Sequence, residues 1–120
     1  MKKIISSPII IITFLFLNES IAQNRNLCHE GSGSGPCFFA EIVEKTKELK
    51  LVAMVDTIDV TLMFKYLNSP EQGQKIYSDG KNKLLVYFDG DHLFSIELLT
   101  NIKFGIELYL KGLYSEPADE

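Results

Sequence analysis

Positive charge is scarce in this sequence, and arginine above all. Arg25 is the only arginine, and 12 basic residues face 16 acidic ones, a formal net charge of −4. A nucleic-acid surface needs a stripe of lysine and arginine to displace phosphate counterions, and no such stripe exists here. Anionic lipid is disfavoured for the same reason. Histidine and cysteine are sparse too, two of each. A structural zinc site wants four ligands at fixed spacing, which Cys28, Cys37, His29 and the distant His92 do not provide, so no metal and no cofactor is expected. Long apolar runs are also missing, apart from one at the start.

That run occupies residues 4–17, after Lys2 and Lys3, and ends at Asn18 and Glu19. It is too short for a comfortable membrane span, and Ser20 and Ala22 supply the small residues that a signal peptidase reads. Residues 1–22 are therefore expected to be a secretory signal peptide, with no stable membrane association once it is cut. No small-residue pattern precedes Cys28, which argues against lipidation. The lysine-led start suggests bacterial export, to the periplasm or beyond. Removing Lys2, Lys3 and Glu19 with the leader takes the net charge from −4 to −5 and leaves residues 23–120, enough for one domain with a single core.

Export decides how to read LCHEGSGSGPCFF, residues 27–39. Two thiols in an oxidising compartment are expected to pair, closing a ten-residue loop from Cys28 to Cys37 that stabilises the fold by about 2.5–3 kcal/mol. A thioredoxin-type site needs two residues between its cysteines, and eight intervene here. Haem attachment needs Cys-x-x-Cys-His, and a phosphate loop needs a following lysine with Ser or Thr. Neither pattern is present. The expectation is a clasp.

Periodicity supplies the fold. Residues 23–36 read as irregular. Residues 37–47 are ambiguous between a helix opened by Pro36 and a hairpin arm, since Phe39, Ile42, Val43 and Thr46 suit one and Phe38, Ala40 and Ile42 the other. Leu49, Leu51, Ala53 and Val55 alternate as a strand. Ile58, Val60, Leu62, Phe64 and Tyr66 alternate again. Asp79-Gly80 and Asp89-Gly90 suit type I′ turns, with Leu84, Val86 and Phe88 facing Phe94, Ile96 and Leu98 across the second. A further alternation takes in Phe104, Ile106, Leu108 and Leu110. Residues 114–120 read as an acidic, flexible tail. The expected fold is mainly β, an antiparallel meander over residues 37–113 forming a small sandwich or half-barrel. An α+β arrangement, with a helix near 37–47 on the sheet, is the alternative.

Chemistry is harder to find. Asp91 and His92 are neighbours on a strand and splay apart, while Asp56 and Asp59 face opposite sides if their segment is extended. The acids of the Asp-Gly turns match no EF-hand spacing. No catalytic residue is assigned. The expectation is an exported bacterial protein-binding module without catalytic activity: an inhibitor, an immunity protein or an envelope assembly factor, with another protein as partner. Its candidate contacts are the loop residues His29, Glu30 and Gly33, and a face carrying Tyr66, Tyr77, Tyr87 and Tyr109, because tyrosine is enriched at interfaces. The alternative is a secreted enzyme or small-ligand carrier whose site draws on Asp56, Asp59, Asp91 and His92.

Overall fold

The computed structural model describes residues 24–31 and 35–117, and over these the chain is all β. The expected signal peptide (1–22), Gly33 and the end of the tail (118–120) lie outside the described residues. Eight antiparallel strands close into a barrel: β1 (Asn24–His29), β2 (Cys37–Val43), β3 (Glu48–Val55), β4 (Ile58–Asn68), β5 (Gln74–Ser78), β6 (Lys83–Asp89), β7 (His92–Leu98) and β10 (Gly112–Ser115). Between β7 and β10, a hairpin of β8 (Ile102–Phe104) and β9 (Glu107–Tyr109) forms a separate two-stranded sheet.

The antiparallel meander is as expected, but a sheet with one oily face finds its cover by closing on itself. Around the barrel the order is β1-β10-β7-β6-β5-β4-β3-β2. Closure depends on two segments that the sequence hides. Residues 24–29, expected to be irregular, form β1, which pairs with β2 over Asn24–Cys28. Tyr114 and Ser115, assigned above to a flexible tail, lie in β10, where Ser115 pairs with Cys28 and Ser95, and Tyr114 with His29 and Ile96. Tyr114 is fully buried.

The helix weighed for 37–47 does not form. Phe38, Ala40 and Ile42 are all buried, which the alternating pattern demands and a helical one would forbid. A turn at residues 44–47, with Lys47 at φ 56°, leads into β3. Leu49, Leu51, Ala53 and Val55 then point inward beside them, joined by Phe64, Tyr77, Leu84, Val86 and Leu98. Eight strands leave an interior just wide enough for side chains to fill, and this one is filled.

Turns and a bulge shift four details. The Asp89-Gly90 turn is displaced by one residue: Asp89 pairs with His92, and Gly90 (φ 66°) and Asp91 form the loop. Glycine at the first loop position, with an ordinary φ at the second, makes the turn type II′. Asp79-Gly80 opens a four-residue loop in which the Asp79 carboxylate accepts from the N–H groups of Lys81 and Asn82, at 2.9 and 2.7 Å. A bulge between Tyr87 and Phe88 pairs Phe88 with Leu93, so Leu93 enters the core and Phe94 stands 59% exposed. The alternation expected through Phe104, Ile106, Leu108 and Leu110 also breaks. Gly105 (φ 64°) and Ile106 make a tight turn, after which Tyr109 points inward and the other three remain exposed.

Candidate binding groove at the clasp end

In a barrel of this topology alternate connections share an end. The β1–β2 loop, the β3–β4 turn, the β5–β6 loop and the β8–β9 hairpin therefore crowd one mouth. The hairpin plugs it. Phe104 stacks on Phe38 with ring centroids 5.9 Å apart, and Tyr109 lies 4.4 Å from Phe104. Ile102, Phe104 and Tyr109 are all buried there. Gly105 passes so close to β4 that a Cβ would sit 3.3 Å from Val60.

The clasp is formed: Cys28 and Cys37 are bridged across β1 and β2 with Cα atoms 4.0 Å apart. Cys28 is buried. A buried disulfide in a small domain fits an oxidising environment. So close an approach marks a non-hydrogen-bonded pair, so the N–H and C=O of Cys37 point away from β1, toward β3.

There the ladder stops. β2 and β3 pair from Phe39↔Val52 to Val43↔Glu48, and Cys37 and Phe38 have no partner among Ala53, Met54 and Val55. The hydroxyl of Tyr109 substitutes on one side, donating to the Cys37 carbonyl at 2.8 Å. Burial, with Glu107 nearby, holds that phenol protonated above its ordinary range, as a donor must be. On the other side, Val55 and Ile58 flank a two-residue turn and form its hydrogen-bonded pair. Alternation then aims the N–H and C=O of Met54 into the gap. The seam is split over its last three residues.

A groove of about 810 Å³ occupies this split, walled by residues 35–39 on one side and 52–56 on the other, with Asn26, Asp59, Glu107 and Tyr109 completing it. Phe39 and Met54 line it while 39% and 70% exposed. Ile58 and Ile106 stand on the adjoining turns at 65% and 76% exposure. Its charges are of one sign, Asp56, Asp59 and Glu107, with no lysine or arginine among the described residues of the wall. Asp56 (φ 58°) and Thr57 (φ 67°) build a type I′ turn without glycine. For a β-branched residue that backbone is strained. Both aspartates line the groove: Asp56 sits in the turn, and Asp59 pairs with Met54 on the outer face.

The residues singled out by sequence fare unevenly. His29 and Glu30 do not line the groove. The Nε2 of His29 is buried without a hydrogen-bond partner against Gly112 (φ 139°), where a Cβ would come within 2.9 Å. Glu30 turns the chain at φ 50° and donates its N–H to the Leu113 carbonyl. The tyrosine face is not formed. Tyr77 and Tyr109 are core residues, and Tyr66 packs edge-on against Tyr77 with centroids 5.8 Å apart. Tyr87 is half-buried on the outer wall, bonded to Glu97 at 2.9 Å. The inward phase of β4 and β5 accounts for this, since Tyr66 and Tyr77 pair with each other in step with Phe64 and Leu84. Asp56 and Asp59 both line the groove, whereas Asp91 lies in the β6–β7 connection and His92 opens β7, at the opposite end. Glu107 was missed, because only the hairpin places it at the groove.

Comparison with protein-family models, with characterised proteins and with solved structures finds no match for this chain.

Proposed function

We propose that this is an exported bacterial protein-binding module without catalytic activity, working in the periplasm or outside the cell, and that it meets its partner through the groove beside the clasp. The observation that carries this reading is the groove's make-up: exposed apolar side chains inside a ring of three carboxylates that form no ion pair among the described residues. Burying such apolar surface against a partner supplies affinity, and unpaired charge of one sign selects and steers the partner. The signal-like leader and the disulfide support export.

The groove's ionisable lining consists of carboxylates and one protonated phenol, a set better suited to recognition than to nucleophilic chemistry. The reading as an enzyme or small-ligand carrier retains Asp56 and Asp59 but loses Asp91 and His92, which lie at the other end.

Affinity capture with the oxidised protein from extracts of the exporting bacterium tests the proposal, run beside a variant carrying Asp56→Lys and Asp59→Lys. The expected result is a protein retained by the first and lost by the second. Retention of the same protein by both, or of none by either, would overturn it.

A further inference from the structure

We infer that the split between β2 and β3 accepts an extended, basic polypeptide segment as an added strand; this rests on the protein-binding reading above and names the partner's chemistry. Three observations converge on it. The first is main-chain valence. The N–H and C=O of Met54 and the N–H of Cys37 face the gap in a stretch where the two strands do not pair. An open strand edge is a template for another chain.

The second is charge. Asp56, Asp59 and Glu107 line the gap, and none of them forms an ion pair among the described residues. A second copy of this acidic chain would be repelled, whereas lysines or arginines along an extended segment would meet the carboxylates. The third is apolar contact. Phe39 and Met54 stand exposed on the outer face of the two walls, beside Asp59, where apolar side chains of the same segment would lie. Backbone bonds supply register, the carboxylates supply sign, and the apolar pair supplies burial.

A blocked synthetic heptapeptide alternating lysine with valine, with phenylalanine at its centre, serves as the probe, titrated into the oxidised protein and followed by amide NMR. The Met54 and Cys37 amides should shift, and exchange at Met54 should slow about tenfold at saturation. N-methylation of the central residues keeps the charge but removes the main-chain donors, and should weaken binding about tenfold. A triple variant, Asp56→Asn, Asp59→Asn and Glu107→Gln, should lose a similar factor with an unchanged melting temperature in the free state.

Equal affinity for the N-methylated peptide would reduce the site to a charged patch and overturn strand addition. So would binding that survives the triple variant, a peptide that does not bind, or a dimer whose interface covers the groove. If the peptide fails while charge reversal still abolishes capture from extract, strand addition is wrong and the module reading stands. If capture also fails, both fall.

Discussion

The two halves of the β2–β3 seam are built from the same strands and behave oppositely. In the lower half, Phe39 to Val43 pair with Val52 to Glu48, and the charges are answered: Glu41 meets Lys50 across the seam at 3.4 Å, and Glu48 meets Lys65 of the neighbouring β4 at 3.2 Å. In the upper half the strands part, three carboxylates stand unanswered, and Phe39 and Met54 are left to solvent. A closed ladder with balanced charge serves stability alone. An open one of single sign must be held from elsewhere, here by the hairpin plug and the disulfide, and it retains capacity for a ligand.

The largest test of that division is Phe104→Ala. Phe104 is fully buried between Phe38 and Tyr109, so its loss should cost about 3–5 kcal/mol in chemical denaturation. A cost below about 1 kcal/mol would mean that the hairpin is an appendage and the split end supports itself. Next comes the clasp. Replacing both cysteines by serine should remove about 2.5–3 kcal/mol and perturb amide signals along 35–39 and 53–55 while those of the lower half stay in place. Uniform perturbation would erase the distinction between the halves.

Alkali sharpens the same contrast, because the phenols that pack the interior resist ionisation. Burial pushes Tyr77 up to about 12, with Glu44 adding to it, and burial likewise pushes Tyr114 up to about 12. Unfolded tyrosines release protons from about pH 10, so over this window the folded state binds more protons and stability falls as pH rises. The stabilisation is complete below about pH 10 and is lost through about pH 12. Thermal melts and phenolate absorbance across this range check it, and a flat melting temperature would contradict it. The smallest effect belongs to the lower seam. Lys50→Ala breaks a partly exposed pair on the outer face and should change stability by less than about 1 kcal/mol.

What could be read in the sequence was what is local. Strict alternation marked β3 and β4 because Leu49 to Val55 and Val60 to Tyr66 each keep one phase. The cysteine spacing gave the clasp, since a short polar loop in an exported chain leaves few other uses for two thiols. Closure was not legible, because β1 and β10 come from opposite ends of the chain and neither carries a long alternating run. The bulge at Tyr87 and Phe88 was hidden too, and it exchanged Phe94 for Leu93 in the core. Aromatic content misled: tyrosines that could have faced a partner pack the interior, where their hydroxyls reach carbonyls such as those of Cys37 and Leu110. The groove joins segments some 50 residues apart around a turn, Asp56-Thr57, that has neither glycine nor asparagine to announce it.

Residue-resolved hydrogen exchange at three neighbouring amides of β3 tests the split most directly. Val52 pairs across to β2 and Val55 across to β4, so both should be protected, while Met54 between them should exchange at least about tenfold faster. Protection at Met54 equal to that of Val52 and Val55 in the ligand-free protein would mean that the seam is closed and that no open edge awaits a partner.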